Sequence, residues 1–589
     1  MTHIHTIFRK ATALLLCCLI STSLMAQSGN TFINPILSGF YPDPSITRVG
    51  EDYYMVHSTF SYFPGVPVMH SKDLVNWKQI GNVLDRPEQL DLDGLGISRG
   101  IFAPTIEHHN GTFYMVTTLI DGGGNFVVTA KNPAGPWSDP VWLRNVSGID
   151  PSLFFDEDGK AYIIYNSEAP DNKPLYDGHR TIRMMEFDWQ NLKAVGTPII
   201  LVNGGVDISK KPVWIEGPHI YKKGGYYYLM AAEGGTSVNH SEVILRSTTV
   251  TGKYIPYPGN PILTQRHLPA DREYPVSATG HADLVQTQNG DWWAVFLATR
   301  PYDKNDSYNL GRETFLAPVS WKEGWPIINP DFEEVQYSYQ RPDLPETKTD
   351  FPLNGNFTQR ADFDQKQLPM HWTFVRTPRT KWYSLEQPAG QLTLDLRPET
   401  LSGKQNPSYV ARRQQHWTGN ATAKMQFKPA AANEFAGIAT FQGEQNYYAL
   451  GKSLSANGEE VIQLLQSNKG ADAAREGTAR DAGTADAGTT VIAEQKLAKS
   501  ERGKPLYLKV EFDKGNYNFY YTTKQGDWKL LKSGVDGTFL STRVSGGFVG
   551  TTMGPYATSQ GKQSASKASF DWFEYSGNDE VYKAKNIAR

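Results

Sequence analysis

The apolar and polar positions of this chain repeat. The run Gly39-Phe-Tyr-Pro-Asp-Pro-Ser-Ile46 returns as Ala103-Pro-Thr-Ile, Asp150-Pro-Ser-Leu, Glu216-Gly-Pro-His-Ile and His281-Ala-Asp-Leu. Each copy is followed 10 or 11 residues on by a second apolar run, most of them opening on an aromatic ring: Tyr53-Tyr-Met-Val, Phe113-Tyr-Met-Val, Ala161-Tyr-Ile-Ile, Tyr227-Tyr-Leu-Met and Trp292-Trp-Ala-Val. A turn separates the two runs in every copy, four times with glycine beside Asn, Asp or Glu and once as Gly224-Gly. Strand, glycine turn and aromatic strand make a hairpin. Five hairpins spaced 47 to 66 residues apart predict a radial repeat, one sheet per blade, over residues 31–335.

In such a ring the equivalent positions of the inner strands converge on one axial pocket. Here they read Asp43, Ala103, Asp150, Glu216 and His281. The fourth copy has one extra residue before its Ile, which places Glu216 a step early, at a bulge. A purely structural repeat would keep one residue at the point of convergence; these copies diverge there. Asp43, Asp150 and Glu216 each have apolar neighbours, and burial of that kind raises carboxyl pKa values and separates the roles of adjacent acids. Two carboxyls across a pocket are the minimal machinery for hydrolysing a glycosidic bond.

After the repeat the pattern changes. Residues 336–357 are rich in proline and polar groups, without period, and read as a linker. Over 358–577 short runs such as Gln391-Leu-Thr-Leu-Asp-Leu396 and Leu506-Tyr-Leu-Lys-Val-Glu-Phe512 alternate with period two. They predict an antiparallel, jelly-roll-like β-sandwich. The expected architecture is therefore all-β: a five-bladed β-propeller followed by a sandwich. Ser467 to Thr490, low in complexity and without aromatics, reads as a surface loop.

Composition adds three constraints. The net charge of −3 gives no footing for nucleic acid or an anionic membrane. Residues 1–26 carry Arg9 and Lys10, then an apolar run too short to span a bilayer, then small residues ending at Ala26; this is the pattern of a cleaved signal peptide and of an exported protein, periplasmic or secreted. Both cysteines, Cys17 and Cys18, lie within it, so the remaining chain has no thiol for a disulfide, a nucleophile or a metal. Oligomeric state is not legible.

The stretches Asn34-Pro-Ile-Leu-Ser-Gly-Phe-Tyr-Pro-Asp-Pro-Ser45, Ser58-Thr-Phe-Ser-Tyr-Phe-Pro-Gly65, Gly148-Ile-Asp-Pro-Ser-Leu153, Glu216-Gly-Pro-His219, Ala232-Glu-Gly-Gly-Thr236, Gly280-His-Ala282 and Leu310-Gly-Arg-Glu-Thr314, in this order, resemble glycoside hydrolase family 43, propeller enzymes acting on pentose-containing plant polysaccharides. The resemblance implies Asp43 as general base, Glu216 as general acid and Asp150 as a third carboxylate that tunes the acid. It implies Arg312, His281, Phe60, Phe102 and Thr236 as substrate-pocket residues. It also implies inversion at the anomeric carbon, which requires carboxyls about 6.5–9.5 Å apart to admit a water. It implies no required cofactor, and leaves open a calcium ion near the propeller axis, since in some relatives one lies beside the matching histidine; a single histidine with scattered carboxylates is not by itself a calcium site. Phe102 stands where β-xylosidase relatives have tryptophan, which opens the choice of pentose. The sandwich is expected to close the pocket with one ring, Phe539 or Tyr556, enforcing removal of terminal xylose or arabinofuranose from xylan or arabinoxylan fragments. The alternatives are an endo-arabinanase-like hydrolase and a non-catalytic carbohydrate-binding propeller.

Overall fold

A computed structural model describes residues 30–468 and 488–583. The expected signal segment 1–26 and most of the low-complexity stretch lie outside the described residues. Five sheets of four principal strands are each ordered outward from an inner strand. The inner strands are Ser45–Val49, Gly100–His109, Ile149–Phe155, Glu216–Lys223 and Ser277–Gln286. The ring closes where Thr31–Ile33 pairs with Ser338–Gln340 and where the Asn34 side chain exchanges hydrogen bonds with the Leu316 backbone of the fifth blade.

The repeated motif has a mechanical explanation. Asp43, Ala103, Asp150, Gly217 and His281 all have left-handed backbones, with φ of 51°, 31°, 53°, 55° and 51°. Four of the five precede proline, which disfavours the right-handed helical region at the residue before it and donates no ladder hydrogen bond. The kink turns the preceding segment towards the axis, and pairing with the second strand slips at this point in blades two to five. In blade four it is Gly217, not Glu216, that holds the kinked position. The expected offset of Glu216 is therefore real, and glycine fits because a Cβ there would lie 2.9 Å from the His281 ring. The residue after each of the first three prolines stitches its strand to the next blade. Ser45 Oγ accepts from Ile106 N at 3.2 Å, Thr105 Oγ1 donates to Pro151 O at 3.0 Å, and Ser152 Oγ donates to Pro218 O at 2.5 Å.

Two eight-stranded sheets make the sandwich. One of them takes its outermost strand from the propeller: Tyr62–Phe63 pairs with Thr373–Val375. A continuous apolar core crosses the domain boundary, with Val56, Phe63 and Leu84 packed in the same cluster as Phe374, Trp382 and Leu392. Between the domains, Arg300, Glu313 and Asp579 form a fully buried ion triad, Arg300 Nε lying 2.6 Å from Glu313 and Nη1 3.2 Å from Asp579. The proline-rich connection is pinned as well, since Asp73 of blade one accepts from Arg341 at 3.0 Å and from Thr347 N at 2.8 Å. Among the described residues no helix is long and apolar enough to cross a membrane.

Candidate active site

The kinked inner strands bring Asp43, Asp150, Glu216 and His281 to one end of the propeller axis. Asp43 is 6% exposed. Its Oδ2 accepts from Ser58 Oγ at 2.5 Å, its Oδ1 lies 3.4 Å from Arg312 Nη1, and His281 Nδ1 stands 3.9 Å away. Burial by itself would raise this carboxyl. Arg312, His281 and the Ser58 hydrogen bond outweigh that and hold it below the usual aspartate range.

The other two acids behave in the opposite way. Burial, then Glu216 and Asp43, push Asp150 well above its ordinary value, and the Gly217 N–H at 3.3 Å offsets only part of this. Glu216 is half-buried by its own exposed surface, yet protein surrounds it closely. Burial and the Asp43 charge raise it to about 7, opposed by Arg312 and Arg180. At neutral pH the pocket therefore holds an ionised Asp43 facing an acid pair, Asp150 and Glu216, that retains a proton. Charge separation of this kind between neighbouring carboxyls is the acid–base division of labour.

Arg312 is fixed by three contacts: Nη1 to Thr236 Oγ1 at 2.9 Å, the Asp43 contact, and Nη2 to Phe548 O at 3.5 Å. Phe60 and Phe102 meet edge to face at 5.5 Å. Burial drives His281 down to about 4 despite Asp43, so it is neutral at pH 7. The structure thus gathers every residue named above except the two expected lid rings. Phe539 packs on Tyr448, and Tyr556 on Tyr409 and Phe435, both inside the sandwich. The sandwich ring in the pocket is Phe548. It stacks on Phe60 at 5.9 Å, meets Phe102 edge-on at 5.6 Å, and lies 5.2 Å from the Arg312 guanidinium.

Glycines make this approach possible. Gly311, with φ of 73°, lies against Gly550, where a side chain would come within 2.8 Å of the Gly550 nitrogen. The Phe548 N–H donates to Ser98 Oγ of the propeller at 2.9 Å. Gly546-Gly-Phe-Val-Gly550 was the available sequence signal, a glycine-flanked ring between strands. Ser58 lay within a noted stretch, but only the fold shows its hydroxyl bridging Asp43 and Ala103 N, the latter at 2.6 Å. The mouth beyond Phe548 is a cavity of about 890 Å³ lined by both domains, including Ser98, Thr236, Asp306 and Arg543. A second cavity of about 600 Å³ lies where the linker and the sandwich meet blade one, lined by Trp77, Phe351 and His371, and none of the acid residues above lines it. Calcium would need six or more oxygens. Among the described residues no group of three or more His, Cys, Asp or Glu is gathered for a metal.

A propeller that sets an ionised carboxylate against a protonated acid pair, beneath a ring from a second domain, defines a glycoside hydrolase. Residues 32–326 match the glycosyl hydrolases family 43 and residues 360–576 match the β-xylosidase C-terminal concanavalin A-like domain. The chain belongs to glycoside hydrolase family 43. It is 41% identical over 545 residues to a xylosidase/arabinosidase of Butyrivibrio fibrisolvens, covering 92% of this chain and 98% of that one. It is 40% identical over 552 residues to a non-reducing end α-L-arabinofuranosidase of Bacteroides ovatus, covering 92% and 94%. Among solved structures, a Bacteroides ovatus xyloglucan PUL GH43B superposes with a TM-score of 0.80 at 39% identity, covering 92% of this chain and 99% of that one.

Proposed function

We propose that this chain is an inverting exo-glycosidase that releases a terminal xylose or arabinofuranose from xylan or arabinoxylan oligosaccharides. The observation that carries the reading is the placement of Asp43, held by Ser58 and Arg312, in one buried pocket with Glu216 and Asp150 beneath Phe548, surroundings that drive the proton affinities of Asp43 and Glu216 apart. In this reading Asp43, ionised, takes a proton from a water that attacks the anomeric carbon. Glu216 gives its proton to the leaving oxygen, and Asp150 keeps that proton available by sharing the negative charge. The two transfers occur in one displacement, no glycosyl-enzyme bond forms, and no cofactor enters. Arg312, Thr236, Phe60 and Phe102 hold the terminal sugar, with the neutral His281 beside the base. The sandwich ring roofs the pocket, which favours a chain end over a chain interior. The names of the two relatives support both pentoses. The pattern of residues 1–26 supports export.

The test uses 4-nitrophenyl β-D-xylopyranoside, 4-nitrophenyl α-L-arabinofuranoside and a short arabinoxylan oligosaccharide, with wild type, Glu216→Ala and Asp43→Ala. Wild type is expected to release one pentose, and proton NMR of the first product to show the inverted anomer. Asp43→Ala is expected to lose about a hundredfold or more on every substrate, and Glu216→Ala to lose most on the oligosaccharide, whose leaving group needs a proton. A retained anomer, or oligosaccharide cleavage undiminished in Glu216→Ala, would overturn the assignment.

A further inference from the structure

The pocket contains three carboxylates, and Arg312 answers only one of them directly. A second guanidinium stands behind the acid pair. Arg180 opens the third strand of blade three, Arg180–Asp188, and is 9% exposed. Its Nε and Nη2 donate to Asn166 Oδ1 at 3.1 and 2.8 Å, and its Nη1 pairs with Glu168. Asn166, fully buried, in turn donates from its own amide to Ile215 O at 2.5 Å. Ile215 is the residue before Glu216. The Arg180 guanidinium also lies 4.6 Å from the ring of Trp214, a residue held in the left-handed region at φ 46°. Trp214 N in turn donates to Gly178 O at 3.0 Å. One arginine thus grips, directly and through Asn166, the two residues that lead into the acid.

We propose that Arg180 is a second active-site cation, a positioning residue that fixes the backbone presenting Glu216 and compensates the charge that reaches the Glu216–Asp150 pair during the reaction. The proposal rests on the acid–base assignment above. As the bond breaks, the proton leaves Glu216 for the glycosidic oxygen, while Asp43 gains one from the attacking water. Negative charge therefore moves from Asp43, beside Arg312, towards the pair beside Arg180. A fixed cation at the place where charge develops stabilises the transition state more than the ground state.

The other groups around the pair do not duplicate this role. His240 and His281, from blades four and five, are both driven by burial to about 4 and are neutral. Glu242 of blade four is raised well above its ordinary value by burial and adds no cation. Asp43 is an anion, and Glu168, 54% exposed on its side chain, meets Arg180 on its solvent side. Arg180 and Arg312 are the cations that act on Glu216.

The experiment compares Arg180→Lys and Arg180→Gln with wild type and Glu216→Ala, on the oligosaccharide and on the nitrophenyl glycoside across pH. Arg180→Gln keeps a donor for Asn166 and loses the charge. It is expected to lower kcat on the oligosaccharide roughly tenfold to a hundredfold, with a smaller loss on the nitrophenyl substrate. Its alkaline limb is expected to move up by roughly one pH unit, because removing a cation strengthens the pair's hold on its proton. Arg180→Lys should keep the wild-type limb. Equal losses on both substrates with unmoved limbs would leave Arg180 a packing residue and overturn the proposal. So would a limb that moves in Arg180→Lys, which also decides the matter if the Gln variant does not fold. Failure of the acid assignment is read separately, from Glu216→Ala retaining oligosaccharide activity.

Discussion

Phe548 is the sandwich ring that packs on Phe60, Phe102 and Arg312, and truncating it separates what the second domain does for catalysis from what it does for stability. In Phe548→Ala two ring pairs are lost, each worth about 0.5–1.5 kcal/mol, together with one cation–π contact with Arg312 of about 0.5–1 kcal/mol. Those contacts fix the Arg312 guanidinium and, in the proposed function, shut water out over the terminal sugar. If about 1.4–2.7 kcal/mol of this total is realised in the transition state, kcat/KM falls roughly tenfold to a hundredfold. The ring is half-buried and lies at the edge of its cluster, so the thermal midpoint should fall less than in a truncation of the sandwich core. Phe539→Ala is the control. Phe539 is 7% exposed and packs within the sandwich, so its truncation should cost roughly 3–5 kcal/mol of stability while an intact fraction keeps normal kcat/KM. The assay is steady-state kinetics on the pentoside that proves to be the substrate, with a thermal scan of each variant. Unchanged kcat/KM in Phe548→Ala, within about twofold, would refute a catalytic role for the sandwich ring.

Two further outcomes follow from the titration and burial pattern. The kcat/KM profile should be bell-shaped. Asp43 must be ionised and lies below its ordinary value, so activity is lost only as pH falls beneath the usual aspartate range. The pair must hold a proton and Glu216 lies at about 7, so activity is lost as pH rises through that value; a profile still rising above pH 8 would contradict the assignment. Arg300→Met should lower the thermal midpoint strongly, because it leaves Glu313 and Asp579 buried without their cation, a loss of about 3–5 kcal/mol, and a midpoint within 1–2 °C of wild type would show that the triad does not join the domains.

Much of the site was legible before any coordinates. The Asp-Pro-Ser repeat marks the inner strands, because the fold uses each of its three residues differently: one to line the pocket, one to break the ladder, one to bind the next blade. Even the offset of Glu216 was visible as an extra residue, and proline shows why: Pro218 keeps step with Pro44, Pro104 and Pro151, so Gly217 takes the kink. The resemblance carried by Leu310-Gly-Arg-Glu-Thr314 implied Arg312, whereas the reason for Gly311 lies in the packing of Gly550 against it. Phe548 and Arg180 were not legible. Phe548 lies more than two hundred residues from its partners, and its flanking glycines mark a tight turn without saying that this ring, rather than Phe539 or Tyr556, reaches the propeller. Arg180 acts through Asn166, a neighbour only across paired strands.

The sequence alone therefore determined the number of blades, the alternation that makes the sandwich, and which carboxylates meet at the axis, because each of these is a local pattern repeated at a fixed interval. Tertiary structure decided which ring closes the pocket, which cations balance the acids, and how far apart their proton affinities are driven. Those depend on burial and on distances between segments remote in the chain, and no local spacing records them.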